Sequence, residues 1–216
     1  MALLRPARDH PQKGAAHAAE QERPDVRAAR EAWCAGQLDL DPDRLVFLDE
    51  TAASTNRARR SGRAPRGERC RIAVPHGPYK TTTVTAALRA TGWAATALWD
   101  GATNGTRLRA SVRDTLVPVL KRGDTVILDN LPAHKVAGVR EAIEAAGAQL
   151  LYLPPYSPDF NPIEQAFAKL KALLRSAIAR TVPDLWTAIR HAFTAFSPGE
   201  CRNYLTAAGY DAYDPT

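Results

Sequence analysis

The chain has 216 residues, 45% of them apolar and 24% charged, enough for one domain with a full core and too few for two large ones. No apolar run approaches the ~20 residues needed to span a bilayer. The start, Met1-Ala-Leu-Leu-Arg5-Pro-Ala-Arg-Asp-His10, lacks the apolar core of a secretory signal, so a cytoplasmic protein is expected. Three scattered cysteines, Cys34, Cys70 and Cys201, exclude a disulfide framework and a paired-thiolate zinc site. The net charge is +6, and residues 57–71 alone hold seven arginines (57, 59, 60, 63, 66, 69 and 71) against Glu68, so one short segment equals the whole excess.

Residues 1–25 are rich in Ala, His, Gln, Glu and Pro without helical periodicity and read as a mobile lead-in to a domain over 26–216. A helix is expected at 25–37 around Val26, Ala29, Ala32 and Trp33, and a first strand at 44–49. The arginine-rich stretch, interleaved with Gly62, Pro65 and Gly67, reads as a hairpin or loop lying along a polyanion, since guanidinium groups suit bidentate phosphate contact. A solvated turn is the plainer alternative. Strands at 70–75 and 81–88, separated by His76-Gly-Pro-Tyr79, predict an antiparallel hairpin that forms a meander with the first strand.

A further strand at 94–100 ends in the turn 100–105. Leu108, Val112, Leu116 and Leu120 recur every four residues and predict a helix over 106–121. A strand at 125–129, a helix at 135–146 stopped by Gly147, a strand at 149–153 and a last long helix from Asn161 complete the chain. Early strands followed by alternating helix and strand give an α/β pattern with a mixed sheet.

Three acids stand out. Asp49 closes Leu45-Val-Phe-Leu-Asp49, Asp129 closes Thr125-Val-Ile-Leu-Asp129, and each sits where a buried strand is expected to run out, with its carboxylate free to project from the sheet edge. Glu164 follows Asp129 after 34 intervening residues, near the start of the last helix. There Asn161 suits a cap, Pro162 the first helical position, and a carboxylate at the third position satisfies free amides. The stripe Ile163, Phe167, Leu170, Leu174 turns inward and leaves Glu164 beside Lys171 and Arg175, a basic face that fits a metal and DNA cleft. On spacing alone, cap and metal ligand fit Glu164 equally well.

The ordered set Val46-Phe-Leu-Asp49-Glu50-Thr51, Gly62-Arg-Ala-Pro-Arg-Gly67, Val126-Ile-Leu-Asp129-Asn130 with His134, and Leu153-Pro-Pro-Tyr-Ser-Pro-Asp-Phe-Asn-Pro-Ile-Glu164 resembles bacterial insertion-sequence transposases. The family is that of insertion sequence six-thirty, within the mariner-like superfamily of DDE transposases. The resemblance runs from about His17 to the C-terminus, shares the 34-residue gap and includes the late Ala-Gly-Tyr210-Asp motif. It implies a ribonuclease-H-like fold, a mixed five-stranded sheet flanked by helices, with Asp49, Asp129 and Glu164 as catalytic metal ligands.

Hard oxygen ligands imply Mg²⁺ or Mn²⁺, two ions ~4 Å apart, serving strand cleavage and then strand transfer without a covalent protein intermediate. A TA target is expected. Glu50, pointing to the opposite face of its strand, and Asn130 are expected beside the ligands rather than among them. His134 either holds a phosphate or tunes protonation, or is only a polar neighbour at a helix start. Arg57, Arg59, Arg60, Arg63 and Arg66, with Lys171 and Arg175, are expected to position DNA through its backbone.

Full-length members carry helix-turn-helix modules ahead of the catalytic domain, and about 40 residues precede the first catalytic strand here, so the chain reads as a catalytic half lacking that region. Double-stranded DNA, as transposon ends and target, is the expected partner, with a homodimer or the product of a partner reading frame, at the nucleoid. Two other readings stand beside this one: a noncatalytic DNA-binding or regulatory fragment, and a ribonuclease-H-like nuclease acting on hybrids.

Overall fold

A computed structural model of the chain describes residues 19–56, 64–69, 71 and 79–210. Helix α1 (Pro24–Gln37) starts on a proline, whose fixed φ and missing N–H suit the first turn, and meets the helix expected at 25–37. A 3₁₀ turn at Ala19–Glu22 precedes it, so the last part of the expected lead-in is helical; the earlier part lies outside the described residues.

Strand β1 (Leu45–Ser54) does not end at Asp49 as expected but runs on. Its antiparallel neighbour β2 (Thr81–Arg89) pairs with it from Phe47 to Ser54 and supplies backbone partners past the point where the parallel neighbour stops. Strand β3 (Gly92–Asp100) pairs with β2, so the observed meander is β1-β2-β3, with 81–89 directly beside β1 where the segment 70–75 was expected to intervene. The strand expected at 70–75 falls outside the described residues except for Arg71, which is not in a strand.

The stripe over 106–121 is buried at Leu108, Val112 and Leu116, but the helix is not uniform. Asn104 caps α2 (Gly105–Ser111) through Arg107 N at 2.9 Å, and the chain then widens into a π turn at Val112–Leu116 and tightens to 3₁₀ at Val117–Val119. Pro118 explains the break, because it has no N–H to offer and its ring clashes with the preceding turn.

Strand β4 (Thr125–Leu128) leads into a 3₁₀ turn at Pro132–His134, and helix α3 (Val139–Ala145) begins four residues later than expected. Gly138 accounts for the delay: its φ of +90° lies outside the helical region, and its N–H is taken by Glu141 Oε2 at 2.7 Å. Strand β5 (Gln149–Tyr152) and helix α4 (Pro162–Ala177) follow close to expectation. Two more helices come after the one expected to be last, α5 (Val182–Phe193) and α6 (Pro198–Ala207), capped by Thr181 and Ser197.

The sheet order is β3-β2-β1-β4-β5, antiparallel in its first three strands and parallel in β1, β4 and β5. This is the mixed five-stranded sheet expected, with a core on each side. Leu45, Phe47 and Ile127 pack with Phe167, Leu170, Ile189 and Leu205 of α4, α5 and α6. Val46, Leu48, Val126 and Leu128 pack with Leu108, Leu116 and Ile143 on the other face, as the alternation of side chains along a strand requires. Among the described residues no helix is long and apolar enough to cross a membrane.

Candidate active site

The parallel pairing of β1 with β4 matches Phe47 to Ile127. Continuing that register by two residues brings Asp49 beside Asp129, both on the side of Phe47 and Ile127, which is the side of α4. There Asp49, Asp129 and Glu164 line one cleft of about 340 Å³, together with Asn130, Asn161 and the turn at 154–158. Three distant stretches of sequence therefore meet where β4 ends and α4 begins.

Asp49 departs from its expected setting. It lies inside β1 and is buried, with Oδ1 accepting from Glu50 N at 2.6 Å and Oδ2 from Asn161 Nδ2 at 3.0 Å. Burial pushes its carboxyl up to about 7; the Glu50 amide works against this, the nearby Glu164 and Asp129 charges add to it, and His134 opposes it. Asn161, expected to cap α4, makes no capping hydrogen bond with its side chain and serves Asp49 instead. Within the described residues its buried Oδ1, like that of Asn130, has no hydrogen-bond partner.

Asp129 lies just past β4, as expected. Its Oδ1 accepts from Leu131 N at 3.1 Å and is joined to His134 Nδ1. The other ring nitrogen, Nε2, lies 3.3 Å from Glu50 Oε2, and Glu50 Oε1 accepts from Thr103 Oγ1 at 2.7 Å and Thr85 Oγ1 at 3.2 Å. Glu50 is thus on the opposite face from Asp49, as strand alternation demands, yet it reaches Asp129 through the buried His134. Burial disfavours charge on the imidazole, but its bonds to Asp129 and Glu50 and their charges outweigh this and push it up to about 10. His134 thus has a carboxylate against each ring nitrogen, an arrangement that favours the protonated ring. Desolvation also works against charge on Glu50, and the His134 and Thr103 hydrogen bonds reverse it, holding the carboxyl below its usual range.

Glu164 is exposed in the first turn of α4, and Ile163, Phe167, Leu170 and Leu174 are buried as expected. Lys171 and Arg175 follow about two and three turns along and are half-buried, but neither lines the cleft. Arg66 is exposed in a turn closed by Glu68 N to Pro65 O at 3.0 Å and does not line the cleft, while Arg57, Arg59, Arg60 and Arg63 lie outside the described residues. Among the described residues, no three His, Cys, Asp or Glu side chains converge closely enough to enclose an ion by themselves. The roles of Asn161, Thr85 and Thr103 carry no local sequence signal, since an Asn before Pro at a helix start reads as a cap.

A family profile described as DDE superfamily endonuclease matches residues 44–186, from the start of β1 into α5. No curated protein sequence matches the chain. Among solved structures, a Mos1 transposase paired-end complex with left transposon end superposes with a TM-score of 0.73 at 19% identity, over 92% of this chain and 63% of that one. A Mos1 mariner paired-end complex with Mn gives 0.71 at 20% identity, over 92% and 64%. The catalytic domain of Mos1 mariner transposase gives 0.61 at 15% identity, over 91% and 92%. The chain thus spans under two thirds of the longer Mos1 chains and nearly the whole of the isolated domain, and its fold is the ribonuclease-H-like one. With its profile match covering most of the sequence, the chain belongs to the DDE superfamily endonucleases.

Proposed function

We propose that this chain is the catalytic domain of a DNA transposase that performs metal-dependent strand cleavage and strand transfer, with Asp49, Asp129 and Glu164 as its catalytic acids. The observation that carries this reading is the meeting of the three carboxylates, from β1, the end of β4 and the first turn of α4, in one cleft.

The donor set fits Mg²⁺ or Mn²⁺. Among the described residues it consists of hard carboxylate oxygens with the unpartnered amide oxygens of Asn130 and Asn161 in the same wall, and it contains no thiolate. Burial is the main cause of the upward push on Asp49, with the Glu164 and Asp129 charges adding to it, and a divalent cation bound beside it would favour the charged carboxylate. When bound, two such ions supply an activated water and stabilise the departing 3′ oxygen of the scissile phosphate. Asp49, Asp129 and Glu164 would hold them.

The protein's own part is orientation. The His134 ring and the Leu131 amide both engage Asp129 Oδ1, so Oδ2 would be the oxygen offered to an ion. Glu50 fixes the far side of the ring, with Thr85 and Thr103 fixing Glu50 in turn. No Ser, Cys or Tyr nucleophile is needed, because water attacks in cleavage and the freed 3′-hydroxyl attacks in transfer.

Structures of Mos1 complexes with a transposon end and with Mn support DNA as the substrate and a divalent ion as cofactor. Finer features rest on the family resemblance: a TA target, backbone contacts from Arg57, Arg59, Arg60, Arg63, Arg66, Lys171 and Arg175, a homodimer, and residence at the nucleoid. Calorimetric titration with Mn²⁺, alongside nicking of a supercoiled plasmid, tests the reading. Binding and nicking that both vanish in Asp129→Ala support it. DNA binding by a chain that takes up no Mn²⁺ would favour a noncatalytic regulatory fragment.

A further inference from the structure

The turn that carries Asn161 and launches α4 is held from outside the stretch matched by the family profile. Arg30 of α1 donates from Nη1 to Ser157 Oγ at 2.8 Å and Asp159 Oδ1 at 2.9 Å, and from Nη2 to Asp159 Oδ2 at 2.7 Å. Its guanidinium also stacks 4.5 Å from the Phe160 ring centroid. Trp33, one turn further along α1, donates to Tyr210 OH at 3.3 Å, and Tyr210 OH donates to Phe160 O at 2.9 Å. The Tyr210 ring meets Phe47 of β1 edge-on at 4.9 Å, two residues before Asp49. Gln37 Nε2 ties the end of α1 to Ala208 O at 2.7 Å.

These contacts are more than an incidental surface ion pair. A planar fork engages both oxygens of Asp159, a hydroxyl and an aromatic face together, which defines a geometry as well as a charge. Each anchored residue, Ser157, Asp159 and Phe160, lies within four positions of Asn161. Asn161 in turn holds Asp49, and Glu164 sits one turn beyond it. Neither Arg30 nor Tyr210 reaches the cleft, so neither touches the reacting atoms.

We propose that α1 and Tyr210 form a latch on the 157–161 turn, with Arg30 as the positioning residue that keeps Asn161 against Asp49 and Glu164 at the cleft. This rests on the transposase reading for its activity readout only. Displacement of a catalytic group by ~1 Å is enough to slow chemistry up to about a hundredfold, so loosening the latch acts on rate before it acts on folding.

The test compares the wild-type chain with Arg30→Gln, Arg30→Lys and Tyr210→Phe. Three quantities are measured: Mn²⁺ affinity by calorimetry, amide hydrogen exchange over 156–161, and the plasmid nicking rate at saturating Mn²⁺ and DNA. Arg30→Gln is expected to speed exchange in that segment, weaken Mn²⁺ binding and slow nicking about tenfold or more at unchanged DNA affinity. Arg30→Lys should fall between it and wild type, since it keeps the charge and loses the fork. Tyr210→Phe should loosen the same segment. Nicking and exchange unchanged in Arg30→Gln would overturn the latch. Should the wild-type chain itself fail to nick, the transposase reading fails separately, and the latch is decided by exchange and Mn²⁺ affinity: altered in Arg30→Gln supports it, unaltered overturns it.

Discussion

Asn161 donates its Nδ2 hydrogen to Asp49 Oδ2 across 3.0 Å, joining residues 112 positions apart and binding the residue that precedes α4 to the middle of β1. Both side chains are buried, so the bond has no water to replace it. Asn161→Ala is expected to destabilise the fold by about 1–3 kcal/mol, the penalty for stranding a buried polar partner. Asn161→Asp should cost more, because it places a second carboxyl against one already pushed up to about 7. Urea unfolding midpoints at neutral pH check both.

Glu164→Gln separates the two roles open to Glu164. The residue is exposed and the amide keeps its size, so stability should stay within about 0.5 kcal/mol of wild type. A ligand role predicts a loss of nicking by roughly a hundredfold or more, on the scale seen when one group stabilising the reacting charge is removed. A cap role predicts normal nicking. Parallel measurement of the unfolding midpoint and the nicking rate decides between them.

Glu50→Ala removes one of the two carboxylates that hold the buried His134 ring. His134 is 4% exposed and lies between Glu50 and Asp129, and breaking one side of a buried charged set typically costs about 3–5 kcal/mol. Glu50→Gln should do less damage, since its amide oxygen still accepts from His134. Chemical denaturation ranks the three proteins, and equal stability for all of them would contradict the arrangement.

Asp124 sets an acid limit on the fold. Its side chain is fully buried, Oδ2 accepts from Arg89 Nη2 at 2.6 Å and from Lys121 N at 2.6 Å, and it sits just before β4. Burial works against its charge, but Arg89 and the Lys121 amide outweigh it and hold the carboxyl below its usual range. A group depressed on folding contributes fully above its unfolded value, about 3.9, and that contribution is lost as pH falls through the lower folded value. Stability measured by urea should therefore decline below about pH 4, and Asp124→Asn should flatten that decline while lowering stability at pH 7.

Much of the framework was legible in the sequence because hydrophobic period reports burial directly. The strands at 81–88, 125–129 and 149–153 and the buried face of α4 follow from it. The apolar run before Asp129 does end at a strand end, whereas the one before Asp49 does not, because the length of β1 is set by pairing with β2 and not by its own pattern. Gly138 and Pro118 moved helix boundaries through backbone rules that apolar spacing does not register. The stripe Leu185, Ile189, Ala192 and the Thr181 cap make α5 as legible as α4, whereas α6 has a weak stripe and only the Ser197 cap to mark it. The bonds from Asn161, His134 and Arg30 depend on tertiary proximity, and no local pattern reports it.

The central claim is that Asp49, Asp129 and Glu164 act as one metal-dependent site on DNA. The most direct measurement is the single-turnover nicking of supercoiled plasmid by the purified chain as Mn²⁺ is raised, for wild type and for Asp129→Ala. Nicking is expected to rise with Mn²⁺, stop with chelator and fall to background in the variant. Nicking that persists in Asp129→Ala or in the presence of chelator would contradict the claim.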